Sequence, residues 1–218
     1  MPKTIPGITY IENVEKSPTV DSPSSPYVIP YYKDEEYLNN YESYVKYVKA
    51  IENLVRHNDK YNKYIHYLKT EVKLDHCMVF KNVTDKDCDI EMHHGPIFTL
   101  FDICAIILEY FIIKKWKIST ARVAKVVLEE HQRNRVQVMM CSKTVHEEIH
   151  NGEIFINYKQ AWGDLGAFTK KYWIAISDEY KEQLNRYIDR SLMYDSNDFG
   201  VLKLNPELIK PQKESDNN

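Results

Sequence analysis

Glycine is scarce, at six in 218 residues. So few leave little provision for tight two-residue turns and favour helices over a hairpin-rich all-β fold. The four cysteines, Cys77, Cys88, Cys104 and Cys141, form no CxxC pair, which argues against a four-cysteine zinc cage. Positive charge is not in excess either. The net charge is −3, so any contact with nucleic acid has to be local. No basic-then-apolar leader is present, so nothing points to secretion. A reducing cytoplasmic setting with free thiols is expected. The longest apolar run, Ile97 to Ile113, is interrupted by Asp102 and Glu109 and is only about as long as the shortest membrane spans. It is expected to be a buried helix, with no membrane contact.

Proline and tyrosine are plentiful where they occur. Residues 1–30 hold Pro2, Pro6, Pro18, Pro23, Pro26 and Pro30 and no apolar period, the pattern of a flexible arm that could dock on a protein partner. Residues 31–74 read as a helical hairpin. Tyr37, Tyr41, Tyr44, Val48, Ile51 and Val55 recur at helical spacing, Asp34 to Glu36 suit the positive helix end, and His57-Asn58-Asp59 marks a break. Tyr61, Tyr64, Ile65 and Leu68 follow on a second helix as packing residues. Residues 75–157 form a core. It opens with a hairpin of Cys77–Phe80 and Cys88–Met92, which Gly95-Pro96 ends. Helices over Thr99–Lys114 and from Ser119 or Thr120 to His131 come next, then a strand over Arg135–Cys141 and a short helix capped by Ser142. Residues 158–204 are a C-terminal helical region, with Ser177 capping a helix to about Met193. Residues 205–218 are a polar tail. The fold class expected is α+β, mostly helical with a small antiparallel sheet.

Five of the eight histidines, His93, His94, His131, His146 and His150, fall between Glu91 and Gly152. Imidazole serves both proton transfer near neutral pH and metal coordination. His93 and His94 end a strand, which sends adjacent rings to opposite sides. His146 and His150 are four apart on one helix, so they share a face. His131 ends a helix, where a cationic ring suits the dipole.

The segments Glu91-Met92-His93-His94-Gly95-Pro96 and Val138 to Gly152, with its HxxxH helix, resemble the two ends of the HNH, or ββα-metal, endonuclease family, including phage-encoded members. The resemblance covers about sixty residues and implies a ββα-metal core carrying two inserted helices; the CxxC pairs of many members are missing. It implies a DNA endonuclease acting on double-stranded DNA with one divalent ion: magnesium, manganese, zinc or nickel. His94 would be the general base, and Asn134 would orient it, with Gln137 the alternative by spacing. His93, His146 and His150 would hold the metal, with a phosphate contact the alternative for His150, and Arg133, Arg135 and Lys143 would contact phosphates. The nuclease reading requires the His94 and His146 rings to share one site. A non-catalytic phage interaction or nucleic-acid-binding protein on a degenerate core of this kind is the alternative, and a metal-stabilised binding module is a third class.

Overall fold

Local sequence sets the helix ends. In the computed structural model, which describes residues 40–151 and 154–193 and the backbone of 202–203, side-chain caps begin most helices. Asn40 accepts from the Ser43 amide and starts α1 (Tyr41–Arg56); Asn58 accepts from the Lys60 amide and starts α2 (Asp59–Thr70). Thr99 and Asp102 cap each other's backbone at α3 (Leu100–Ile113), and Ser119 caps α4 (Thr120–Gln132). Ser142 caps α5 (Lys143–His150) and Asp164 caps α6 (Leu165–Tyr172). The Tyr180 amide donates to Ser177 Oγ at the start of α7 (Asp178–Met193). The arm, the acidic stretch 34–36, Gly152, Glu153 and the tail lie outside the described residues.

The strands are few. β1 (Ile90–His94) pairs antiparallel with β2 (Val138–Ser142), with His93 opposite Met139 and His94 opposite Val138. β3 (Ile154–Phe155) pairs antiparallel with β4 (Leu202–Lys203). The fold is therefore α+β, mainly helical with small antiparallel sheets. The expected hairpin between 77–80 and 88–92 does not form. Thr84 donates through its amide and hydroxyl to Asp87 Oδ2, and the Cys77 amide bonds the Val83 carbonyl, so this stretch closes on itself as a turn. β1 instead reaches across the two helices to β2. The other edge of β2 is also occupied: the Met78 amide donates to Met140 O at 2.7 Å, and Val138 exchanges both backbone bonds with Trp162. Gly163 permits that approach. Its φ is +121°, and a Cβ there would lie 2.2 Å from the Val136 carbonyl oxygen.

The core lies between α1, α3 and α4, with the β1–β2 pair beneath α5. The apolar run 97–113 becomes α3, buried nearly all round, and no described helix is long and apolar enough to cross a membrane. On α1 the buried face is Tyr47, Val48, Ile51 and Val55; Tyr41 is left exposed, so the face is rotated from the expected tyrosine stripe. All four cysteines are free thiols, Cys88 on the surface and the other three buried.

Candidate metal centre

Strand alternation decides the site. Glu91 and His93 leave β1 on one side, toward α5, while His94 leaves on the other, toward α2 and α4. On α5 the spacing of four puts His146 and His150 over His93. The ring centroids are 5.0 Å apart for His93–His146, 4.9 Å for His93–His150 and 4.7 Å for His146–His150. One ligand nitrogen from each lies within 4.8 Å of the others. Two nitrogens on one ion at about 2.1 Å can be at most about 4.2 Å apart. That limit is the linear case; at tetrahedral angles the nitrogens lie about 3.4 Å apart, so a pair at the full spread closes by about 1.4 Å through small turns of the imidazole rings. Burial depth grades from His93, which is buried, through His146 to His150, which is exposed, so the cluster has one open side.

Burial keeps the His93 ring ready to bind. Burial, with the neighbouring His146 and His150, lowers His93 to about 4, so it is neutral and has a free lone pair near pH 7. His146 Nδ1 is 2.6 Å from Glu91 Oε2, and its Nε2 is 3.0 Å from His150 Nε2. Gly95 makes room for His93. Its φ is +149°, and a Cβ there would sit 2.9 Å from His93 Nε2. Three imidazoles with a carboxylate behind one of them fit a transition ion such as zinc, nickel or manganese better than magnesium, which prefers oxygen.

His94 is not brought to this cluster. Its ring lies on the far side of β1, 6 % exposed, with Nε2 3.0 Å from His131 Nε2 and its plane stacked on Tyr61. Burial, first, and the neighbouring His131 hold its pKa well below the ordinary value. With its Nε2 on His131 and its plane on Tyr61, His94 does not join the His93, His146 and His150 cluster, so the expected placement of His94 and His146 in one site is corrected. The orienting residues also differ. Asn134, at φ +53°, accepts from Trp162 Nε1, and Gln137 donates to the Tyr158 carbonyl; neither holds His94. His131 does, and it is not the cationic helix end expected. It is fully buried, its Nδ1 bonds Val127 O at 2.7 Å, and burial lowers it to about 4.

Of the expected phosphate contacts, Arg133 and Lys143 are exposed. Arg135 is engaged elsewhere: with Lys171 and Tyr172 it surrounds the fully buried Glu130 carboxylate, at 3.5, 2.5 and 3.1 Å. The residue that sequence reasoning missed is Glu91. Its signal was present, since Glu91 and His93 are two apart on a strand and share a face.

No curated protein and no solved structure matches this chain. Residues 11–214 match the family described as bacteriophage G278-like virion protein, which is nearly the whole sequence. By that match the chain belongs to the bacteriophage G278-like virion protein family.

Proposed function

We propose that this virion protein binds one divalent transition-metal ion through His93, His146 and His150, and that the ion fastens α5 to β1 in a non-catalytic component of the particle. The observation that carries the reading is the convergence of the three imidazoles from a strand and a helix onto a common point. A bound ion would cross-link two elements that otherwise meet through a short helix of eight residues. The placement of His94 supports the non-catalytic form, because the base that the nuclease resemblance implies is engaged by His131 and Tyr61 on the other face of β1. Free thiols suit folding and assembly in the reducing host cytoplasm.

The test is calorimetric titration of the purified, chelator-treated chain with zinc, nickel and manganese, alongside the His93→Ala and His66→Ala variants. Binding at one site per chain is expected, weakened far more by His93→Ala than by His66→Ala, with melting raised by the ion. Equal affinity in the two variants, or no binding at all, refutes the reading.

A second reading is metal-dependent phosphodiester hydrolysis. It is favoured by the open side at His150, since three protein ligands with a free position are the pattern of catalytic rather than closed structural sites. A bound ion would there supply Lewis acidity toward a phosphate. Incubation of supercoiled plasmid with each ion decides: nicking that His93→Ala abolishes supports hydrolysis, and intact plasmid supports the structural reading.

A further inference from the structure

The connection from α3 to α4 has no part in the metal centre, and its charge is unlike that of the rest of the chain. Residues 114–125 contain Lys114, Lys115, Lys117, Arg122 and Lys125 and no carboxylate. Without those five charges the remainder of the chain stands at −8 against −3 overall. All five side chains are exposed, and Arg122 and Lys125 lie three apart on one face of α4. None of the five is in an ion pair among the described residues. Trp116 sits among them. Edge-to-face contacts with Tyr110 and Phe111, at interplanar angles of 85° and 84°, pin its ring, yet 49 % of the residue stays exposed.

The backbone adds a second observation. The turn that ends α3 places Lys115 at φ +54°, with its amide on Ile112 O and the Trp116 amide on Phe111 O. Glycine is the residue that fits such a helix-ending position without strain. A lysine there puts a cation on the outside of the turn at a conformational cost.

We propose that this face, built on Lys114, Lys115, Trp116, Lys117, Arg122 and Lys125, binds single-stranded nucleic acid. The cations neutralise successive phosphates and the indole stacks on a base. An anchored, half-exposed aromatic ring within a basic surface is the combination that single-strand binding uses. A purely ionic surface for an acidic protein has no need of the pinned tryptophan; an anionic membrane, whose interface an indole also suits, is set apart by the vesicle arm of the test.

The experiment is fluorescence anisotropy of a labelled 20-nucleotide oligo-dT with the full chain over a salt series. Three variants accompany it: Lys115→Gly, Lys115→Gly/Lys117→Ala and Trp116→Ala. Binding that weakens with salt is expected. The double variant should flatten the logarithmic salt slope by about 1.4, since each phosphate contact on a single strand contributes about 0.7. Trp116→Ala should weaken binding roughly ten- to hundredfold at fixed salt. Lys115→Gly is the decisive control for folding, because it should leave the melting temperature unchanged or raise it while still lowering affinity. The proposal is overturned by a wild type that does not bind at low salt or by variants that bind as tightly as wild type. It is overturned equally by polyglutamate or anionic phosphatidylserine vesicles binding as well as the oligonucleotide, or by duplex binding more tightly than the single strand.

Discussion

Glu91 is the sharpest point at which to test the proposed metal centre. Its Oε2 lies 2.6 Å from His146 Nδ1, so Nδ1–H donates to the carboxylate, which turns Nε2 toward His150 Nε2 at 3.0 Å. Replacing Glu91 with alanine frees the imidazole to rotate and to carry its proton on Nε2, where the proton must be displaced before an ion can bind. Removing such a partner typically costs about 10–100-fold in metal affinity. Solvent decides where in that range this pair falls. The Glu91 side chain is 41 % exposed and that of His146 is 24 % exposed, so screening puts the effect near tenfold, about 1.4 kcal/mol. Glu91→Gln keeps an acceptor without the charge and should lose about threefold, between alanine and wild type. The assay is zinc titration against a competing chelator, with long-range nitrogen–proton NMR of the metal-free protein to read the His146 tautomer. Wild type should show the Nδ1–H form and Glu91→Ala a mixture. Zinc affinity in Glu91→Ala equal to wild type, with the tautomer unchanged, would refute the orienting role while leaving the three-histidine centre intact.

Three other outcomes follow from the geometry. Gly95→Ala should weaken metal binding about tenfold with the circular dichroism of the fold kept, because its Cβ meets His93 Nε2 at 2.9 Å; undiminished titration would show that the ring has room. Lys171→Met should destabilise the chain by about 3 kcal/mol in urea unfolding, since it strips a cation from the fully buried Glu130 and leaves Arg135 at 3.5 Å and Tyr172 at 3.1 Å. Acid should also destabilise: His131 is lowered from 6.5 to about 4, so its contribution is fully present above pH 6.5 and is lost as pH falls from 6.5 toward 4. That amounts to roughly 2 kcal/mol by pH 5; urea midpoints level between pH 7 and 5 would contradict the buried neutral ring.

Local chemistry made much of the chain legible. Ser119, Ser142 and Ser177 are recognisable caps because a hydroxyl followed by an apolar period has one economical use, and each starts a helix in the structure. His146 and His150 share a face because they are four apart on α5, which the sequence states directly. Strand pairing was not legible in this way. The partner of β1 is β2, beyond two whole helices, whereas the sequence points to the nearer apolar stretch at Cys77. Periodicity shows which residues can form a strand, and only the packing of α3 and α4 decides which strands meet. The histidine pair teaches the same division. Alternation along a strand requires His93 and His94 to point apart, but it does not say which side holds α5 and which holds His131. Tertiary structure turned His93 toward the helix pair and sealed His94 against Tyr61 and His131. The sequence by itself put His146 and His150 on one helix face, because their spacing is local; that His93 meets them and His94 does not was decided only by the long-range pairing of β1 with β2 and the packing of α2 and α4 over the other face of β1.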